Sequence, residues 1–379
     1  MSKPDPSAPL PLAGRRIGLV SSWLSRRNGG VFAAVLRQAD LIQALGATPV
    51  IIGLRDADSA KDIQRVANSE VLLADPSGPD ALGYSRDFPV LLREARLDML
   101  HCHGIWQAHV AAAGRWARHT GRPLIVSPHG MLDPWIKQRG RWKKQLARIG
   151  WERQAWHAAS LFHALTEDEG CDIRREVPSA QIAVVPNPAP PVSARDHRFP
   201  GPTALFLGRL HKKKNLDALL AAWRIAQSEL PNGANLIVAG WEDGARIARF
   251  EHALGDTSNV NFVGAAFGSQ KQALFDVARF FVLPSLSEGL PMAVLEAWAA
   301  GVPSIMSEAC HLPAGFASGA AIPCGTAPHS IAAALLEGFG KNKAEWDAMS
   351  QAASALASGP FGIDAVAMQW RDIYGRFCV

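Results

Sequence analysis

Two carboxylates and two cations are the residues of this sequence whose types and spacing could bind a charged ligand. Glu288 and Glu296 lie eight positions apart in FFVLPSLSEGLPMAVLEAWAAGVP, and Arg209 and Lys214 lie in ALFLGRLHKKKN. A guanidinium and an ammonium at the start of a helix suit the charge of a diphosphate. Carboxylates accept hydrogen bonds from hydroxyl groups. Together the two stretches suggest a nucleotide diphosphate-sugar as the ligand.

Both stretches are predicted to lie where a strand ends and a helix begins. A helix opens at Pro291, and another, predicted over Leu216–Gln227, follows Lys214. In open α/β sheets, phosphorylated ligands bind at this edge, near helix N-termini. A structural interpretation also stays open, because Glu288 could cap its helix, Glu296 could be solvated, and the cations could form a basic surface turn.

The elements that must position these charges follow an α/β pattern, since short apolar runs alternate with amphipathic segments along the chain. The fold class predicted is α/β with two Rossmann-like doubly wound domains facing a cleft. Residues 1–192 form the first domain and residues 203–360 the second, joined by the proline-dense stretch 187–202. The last helix, Ile363–Phe377, within residues 361–379, is predicted to cross back to the first domain.

Composition excludes several classes of protein. The chain has 379 residues, 48% hydrophobic content and a net charge of +5, which permits an anionic partner. It has no apolar run long enough to span a membrane, and its N-terminus lacks the apolar core of a secretory signal. Five scattered cysteines without a CxxC motif predict a reduced cytoplasmic protein without disulfides or structural zinc.

The chain resembles the family 4 (group 1) retaining glycosyltransferases of the GT-B fold. The resemblance rests on GRLHKKKN, VAGWEDG, VNFVGA and SEGLPMAVLEAWAAGVP in the second half, and on NGGV, HCHGIW, SPHGMLDPW and VVPNP in the first. It implies transfer of a sugar from a nucleotide diphosphate-sugar to an acceptor hydroxyl, for example a lipid-linked or polysaccharide or lipopolysaccharide precursor. One departure is Asn215, where many members have glycine after the lysine.

The resemblance also implies roles for individual residues. Arg209 and Lys214 would hold the donor diphosphate, Glu288 the donor sugar and Glu296 the ribose, and His129 would act where sugar and acceptor meet. The backbone around the donor would come from Gly29, Gly30, Gly208, Gly289, Leu290 and Pro291. His103 and Trp106 are candidates on the acceptor side.

Two motifs raise the question of a metal. His101 and His103 share one face of a strand, but no third ligand of suitable spacing accompanies them. Asp56-Ala-Asp58 matches the metal-binding signature of the other glycosyltransferase fold, yet it lies in a polar run that reads as a solvated loop. We therefore expect no metal or other cofactor.

A basic, tryptophan-rich stretch, WIKQRGRWKKQLARIGWERQAW (residues 135–156), reads as an amphipathic helix. Its basic residues include Arg139, and Trp142, Lys143, Lys144 and Arg148 are candidates for contact with an anionic membrane surface. The alternative, a helix that packs its tryptophans into the core behind a solvated basic face, stays open. Without a nucleic-acid fold signature we expect no nucleic-acid partner. The protein is expected to be cytoplasmic, either free or peripheral on the inner face of the plasma membrane.

Two other functions compete with transfer. An epimerase or phosphorylase on the same fold would make product from the donor without a sugar acceptor. A non-catalytic subunit would bind sugar nucleotide or membrane and turn nothing over.

Overall fold

The computed structural model describes residues 12–64, 69–137, 140–192, 199–242, 244–255, 257 and 259–378. The predicted N-terminal lead-in up to residue 11, Arg139 of the basic stretch, and residues 193–198 of the predicted linker lie outside the described residues. The chain divides into two compact units, one formed by Met1–Asn187 with Val366–Val379 and the other by Pro188–Ala365.

The first unit contains, within its described residues, a seven-stranded parallel sheet in the order β3-β2-β1-β4-β5-β6-β7. The strands are β1 Arg16–Trp23, β2 Thr48–Leu54, β3 Glu70–Ala74, β4 Met99–His103, β5 Leu124–Ser127, β6 Leu161–Ala164 and β7 Ile182–Val184. The helices are α1 Gly30–Ala44, α2 Ser59–Ile63, α3 Phe88–Glu94, α4 Ala108–Thr120, α5 Pro134–Lys137, α6 Arg141–Ala147, α7 Arg153–Ala158 and α8 Glu167–Glu176.

Side-chain alternation along the strands builds a core on each face of this sheet. Ile17 and Leu19 of β1 pack on one face with Ile51 of β2, whereas Val50 and Ile52 of β2 pack on the other. Because both faces are covered, β1 and β2 bury apolar side chains on both sides rather than on one.

The second unit repeats the arrangement with six parallel strands among its described residues, in the order β10-β9-β8-β11-β12-β13. The strands are β8 Thr203–Leu207, β9 Asn235–Ala239, β10 Val260–Gly264, β11 Phe280–Leu283, β12 Ser304–Met306 and β13 Ala321–Pro323. The helices are α9 Leu216–Ala226, α10 Gly244–Leu254, α11 Gly268–Val277, α12 Met292–Ala299, α13 Pro313–Ala317, α14 Pro328–Gly340 and α15 Lys343–Ser358. The predicted α/β architecture is confirmed.

The last helix, α16 Ile363–Phe377, packs into the core of the first unit from Val366 onward. Trp370 and Tyr374 are fully buried there, and the Trp370 ring lies 5.1 Å from the His101 ring and 4.7 Å from the His163 ring, centroid to centroid. Gln38 of α1 donates from Nε2 to the Tyr374 hydroxyl at 2.7 Å. The predicted return of the chain to the first domain is therefore confirmed.

A directed chain of hydrogen bonds continues from Tyr374 into the sheet. Because a carbonyl oxygen can only accept, His163 Nε2 must donate to the Val185 carbonyl at 2.7 Å, which leaves His163 Nδ1 to accept from the Ser127 hydroxyl at 2.6 Å. Ser127 then accepts from His101 Nε2 at 2.6 Å, and His101 Nδ1 accepts from Tyr374 at 2.9 Å. Each donor in this chain has an acceptor when both imidazoles are neutral, and burial favours that form because it lowers the pKa of His101 and His163.

The basic stretch is not one continuous helix, so that prediction was wrong. Gly140, at φ 64°, lies between α5 and α6, and a π-helical turn over Arg148–Glu152 separates α6 from α7. Trp156 is buried, so the core-packing interpretation holds for this tryptophan, whereas Trp142 is exposed. None of the helices in the described part of the chain is both long and apolar enough to span a bilayer.

The Ala-rich region after β13 is helical and forms α14 and α15. The Asn342 side chain caps α15 through the Glu345 amide, while the Glu345 carboxylate accepts from the Asn342 amide. This reciprocal cap starts a new helix directly after α14.

Candidate functional site

In the second unit, two strand-end turns approach each other closely enough to need glycine. A Cβ on Gly240 would lie only 2.3 Å from the carbonyl oxygen of Gly208. The Gly208 amide donates to Ala239 at 3.0 Å and the Leu210 amide to Trp241 at 3.1 Å, which joins the turns after β8 and β9. The predicted site residue Gly208 thus aligns the turn that carries Arg209.

This approach sets Arg209 against Glu242, a partner that the sequence analysis missed. Arg209 donates from Nε to Glu242 Oε2 at 3.1 Å and from Nη2 to Oε1 at 2.9 Å, and Arg246 reaches Oε1 at 2.8 Å. The Glu242 carboxylate is largely buried, whereas the Arg209 side chain is 44% exposed. A two-point ion pair therefore fixes the guanidinium while part of it faces solvent.

Lys214 reaches the second carboxylate through a short helical turn over Lys212–Lys214. The turn ends at Asn215, at φ 60°, in the left-handed region that glycine adopts most readily and asparagine tolerates. The Leu286 amide donates to the Lys213 carbonyl at 2.7 Å, which ties this turn to the one after β11. The substitution of asparagine for glycine therefore leaves the backbone path intact.

Glu288 is buried at the centre of this ion-pair cluster. Lys214 Nζ lies 2.6 Å from Glu288 Oε1, Lys213 Nζ lies 3.6 Å from Oε2, and the Ser285 hydroxyl donates to Oε1 at 2.6 Å. Burial raises the pKa of Glu288, but the charges of Lys214 and Lys213 and these hydrogen bonds outweigh it and lower that pKa below its ordinary value. Lys213 therefore shares in holding the carboxylate ionised.

The helix that follows carries the remaining predicted residues of this unit. Gly289 and Leu290 lead to Pro291, the N-cap residue of α12, so the helix starts one residue later than predicted. In this first turn the Val294 amide donates to the Pro291 carbonyl at 2.9 Å. Amides that precede it at a helix start lack intrahelical acceptors, which favours an anion or a polar ligand group there. Glu296 lies further along α12 and pairs with Lys271 of α11 at 2.9 Å. Lys271 is another partner that the sequence pattern did not reveal.

In the first unit, His129 and His103 come together at the ends of adjacent strands. His103 Nδ1 and His129 Nε2 lie 2.9 Å apart, so one of these nitrogens donates to the other. His129 is held at φ 55° in the turn after β5, and the next amide, of Gly130, donates to the buried Glu169 at 2.6 Å. Burial, together with the charge of His163, lowers the pKa of His129 to about 3, so this ring acts as a neutral hydrogen-bonding group.

His101, by contrast, is wholly buried and bonded to Ser127 and Tyr374, which makes it part of the core. Within the described residues no group of three or more His, Cys, Asp or Glu side chains is placed to hold a metal ion. Asp56 of the DxD sequence accepts from Ser25 Oγ at 2.5 Å and from the Asp58 amide at 3.0 Å. This motif therefore organises a loop before α2.

The loop before α1 and the loop after β4 hold other predicted residues. Gly29 lies at φ 58°, and a Cβ on Gly30 would meet nothing within 4 Å, so the start of α1 is open. Trp106 lies at φ 74°, with its amide donating to the buried Glu152 at 2.5 Å and its indole to the Met131 carbonyl at 3.1 Å. Gly29 and Trp106 each adopt a positive φ, and the contacts of Trp106 fix its conformation.

Family comparisons match both units. Residues 201–339 match the family described as glycosyl transferases group 1, and residues 29–188 match the glycosyl transferase 4-like domain. The chain belongs to the group 1 glycosyltransferases. The predicted family is confirmed on most of the chain.

Two relatives within this family are named for different acceptors. The D-inositol 3-phosphate glycosyltransferase of Streptomyces avermitilis is 29% identical over 313 residues, 74% of this chain and 66% of that protein. The GDP-mannose:cellobiosyl-diphosphopolyprenol alpha-mannosyltransferase of Xanthomonas campestris is 26% identical over 242 residues, 62% of this chain and 59% of that protein. The matches thus span somewhat less than two thirds of each relative.

The fold of this chain also occurs among solved structures. Anabaena HepE, solved in complex with UDP and glucose, aligns with a TM-score of 0.77 and 14% identity over 96% of this chain and 100% of that one. At that identity the likeness shows the fold alone, and it confirms the predicted GT-B class.

Proposed function

We propose that this protein is a retaining glycosyltransferase that moves a sugar from a nucleotide diphosphate-sugar to an acceptor hydroxyl. The observation that carries the proposal is the ion-pair cluster of the second unit, in which Lys214 Nζ lies 2.6 Å from the buried Glu288. The other cation predicted from the sequence in this unit is Arg209, which Glu242 holds in place and which is half-exposed. Membership of the group 1 glycosyltransferases supports the same activity.

The chemistry asked of these residues is stabilisation of a leaving group. As the bond between the anomeric carbon and the diphosphate breaks, negative charge grows on the phosphate oxygens, and cations already in place stabilise it without reorganising. Arg209 and Lys214 supply that charge, helped by the amides at the start of α12. We propose that they neutralise the diphosphate without a metal ion.

The carboxylates then orient the donor. Because Lys214 and Lys213 keep Glu288 ionised, it accepts hydrogen bonds from sugar hydroxyls, and Glu296 accepts from the ribose. His129, neutral and partly exposed, bonds the reacting sugar or the acceptor. The acceptor hydroxyl attacks the face from which the diphosphate leaves, so the anomeric configuration is retained.

For the acceptor we propose a phosphate-bearing glycan or lipid-linked precursor of a polysaccharide or lipopolysaccharide. The two relatives described above are named for acceptors that carry a phosphate or a polyprenol diphosphate. A membrane-presented acceptor is favoured by Trp142, Leu146 and Ile149, which are 66%, 60% and 65% exposed. Lys143 extends from the same helix beside this apolar stripe, a combination that suits an anionic membrane surface.

The test is a donor panel with purified full-length protein. UDP-, GDP- and ADP-sugars are incubated with and without phosphate-linked and lipid-linked acceptors, and released nucleotide and new glycoside are measured. Transfer predicts nucleotide release that depends on the acceptor, with product of retained configuration. A sugar product formed without acceptor would indicate an epimerase or a phosphorylase instead, and no turnover across the panel would contradict the proposal.

A further inference from the structure

A cationic cavity lies in the first unit, between the loop after β4 and the α5–α6 segment. Its volume is about 320 Å³, and the side chains that matter for its charge and shape are Trp106, Lys137, Arg141, Lys144, Arg148 and Glu176. That volume is near the lower end for ligand pockets, so it fits a compact group rather than a whole glycan.

The cavity has an excess of positive charge. Four of its lining side chains are cationic and one is a carboxylate, Glu176, which pairs with Lys137 and, at 3.0 Å, with Arg148. Lys144 donates to the Ile136 carbonyl, and Arg141 has no ion-pair partner among the described residues. Cations gathered in a concavity repel one another unless an anion fills it, so this lining favours an anionic ligand.

The spacing of the residues separates the cations from the apolar stripe. From Arg141 onward, where the segment is helical, the cations stand at positions 141, 144 and 148 and the exposed apolar side chains at 142, 146 and 149, whereas Lys137 lies on α5. Intervals of three and four residues place each set on its own side of a helical segment. The segment therefore presents a basic wall to the cavity and an apolar stripe to solvent, which is the arrangement an anionic lipid headgroup requires.

One wall of the cavity is rigid. Trp106 is fixed by its bonds to Glu152 and Met131, and Lys144 Nζ lies 6.0 Å from the centre of its ring. Trp106 follows His103 by three residues, and His103 contacts His129 at the ends of the paired strands β4 and β5. The cavity thus adjoins the strand-end edge that carries the proposed acceptor-side histidines.

We propose that this cavity binds the diphosphate through which an acceptor glycan is linked to its lipid. The inference rests on the proposed function and names the acceptor's anchoring group. Arg141 and Arg148 offer paired N–H donors that match phosphate oxygens, Lys144 adds a point charge, and the lipid leaves beside Trp142, Leu146 and Ile149. The glycan is then held at a fixed distance from the group that anchors it.

The test measures binding of full-length protein to phosphatidylcholine vesicles that contain farnesyl diphosphate. Matched vesicles contain farnesol, phosphatidylglycerol or no addition, and free inorganic diphosphate is titrated as a competitor. We expect farnesyl diphosphate vesicles to bind more tightly than phosphatidylglycerol vesicles, and inorganic diphosphate to weaken that binding. Arg141→Gln should weaken binding about tenfold or more, because it removes charge-assisted hydrogen bonds.

Two variants make this result specific. Lys143→Gln removes an exposed cation of the same helix that does not line the cavity, so it should retain the preference for farnesyl diphosphate over farnesol. Lys214→Gln removes a cation of the second unit and should also retain it. Thermal unfolding of each variant confirms that the exposed substitution Arg141→Gln leaves the fold intact.

Four results would overturn the inference. They are equal binding to phosphatidylglycerol and farnesyl diphosphate, an equal loss in Arg141→Gln and Lys143→Gln, and a loss confined to Lys214→Gln. The fourth is tight inorganic diphosphate binding that vesicles do not strengthen, which would exclude a lipid-linked ligand. Because no donor is present, these outcomes are independent of the donor panel, and either proposal can fail alone.

Discussion

At the carboxyl ends of its strands the first unit carries neutral imidazoles, whereas the second carries ion pairs. His101, His103 and His129 are buried or partly buried, with pKa values lowered mainly by burial, and they bond to one another or to neutral hydroxyls. In the second unit Arg209 and Lys214 each contact a carboxylate within 3 Å. Both sheets are parallel and begin from the same strand order, so the topology does not dictate this difference.

The difference shows how one architecture can serve two kinds of ligand. Fixed charges suit a diphosphate, whose charge they neutralise, whereas neutral rings can exchange hydrogen bonds with sugar hydroxyls at little desolvation cost. A parallel sheet offers the same edge in each unit, and the side chains at the strand ends decide what binds there. Four predictions test this contrast, beginning with the largest effect.

Acidification should destabilise the first unit far more than the second. Burial lowers the pKa of His109 and His163 to about 4 and of His129 to about 3, and it lowers those of His101 and His103 well below 6.5. The unfolded chain takes up protons near pH 6.5 while the folded chain does not, so stability is complete above that pH and is lost as the pH falls. Each such histidine lowers the free energy of unfolding by about 1.4 kcal/mol for each pH unit below about 6.5.

Glu152 acts in the opposite direction, because burial raises its pKa to about 8, so its contribution to stability grows as the pH falls towards 4.5. Its effect on the free energy of unfolding offsets that of about one of the five histidines. We therefore expect the free energy of unfolding to fall by several kcal/mol between pH 6.5 and 5. Peptide-resolved hydrogen exchange at both pH values measures each unit separately, and His119→Gln, at an exposed position, is the control. Equal losses in the two units would contradict the account.

Lys214→Gln should reduce kcat/KM for transfer about 100- to 1,000-fold, as loss of one preorganised donor to a developing charge does elsewhere. Lys212→Gln is the matched control, since Lys212 lies two residues earlier in the same turn but is exposed. The substitution also removes a partner of Glu288, so Lys214→Gln/Glu288→Gln should recover stability but not activity. Equal losses in Lys214→Gln and Lys212→Gln would rule out a specific role.

Tyr374→Phe should lower the free energy of unfolding by about 1–3 kcal/mol, because it leaves His101 Nδ1 and Gln38 Nε2 buried without their partner. The other tyrosine of the chain, Tyr84, is exposed, so Tyr84→Phe is a matched control with little expected effect. Chemical denaturation monitored by tryptophan fluorescence gives both values. A neutral Tyr374→Phe would show that apolar packing holds α16 without this hydrogen bond.

Trp142→Ser should weaken binding to anionic vesicles about tenfold, since it removes an exposed apolar side chain from the proposed contact surface. Ile225→Ser, at an exposed apolar position of the second unit, is the control. Vesicle co-sedimentation measures both, and thermal stability should change in neither. If the two substitutions weaken binding equally, the membrane contact is not a property of the first unit.

The sequence was informative about the strand ends and less so about their partners. Arg209, Lys214 and Glu288 follow apolar runs that read directly as strands, so their placement could be predicted. Glu242 meets Arg209 because Gly208 and Gly240 bring two turns together, and Lys271 meets Glu296 because α11 lies beside α12. Such pairings depend on tertiary packing, which local periodicity does not encode.

The prediction of one helix over the basic stretch failed for a related reason. Hydrophobic spacing over residues 135–156 suits one helix, but Gly140 in a left-handed conformation and the π turn at Arg148–Glu152 divide it. The hydrogen-bond network that joins Tyr374 to His163 could not be predicted from the sequence either, because its members come from distant parts of the chain.

The central claim, that the cations of the second unit recognise a diphosphate, can be tested by calorimetric titration. Nucleoside diphosphates and monophosphates of uridine, guanosine and adenosine are titrated into wild-type protein, Lys214→Gln and Lys212→Gln. The account predicts that at least one base binds about tenfold more tightly as diphosphate than as monophosphate. Lys214→Gln should abolish that preference and Lys212→Gln should keep it. A preference that survives in Lys214→Gln, or equal binding of both forms by the wild type, would contradict the claim.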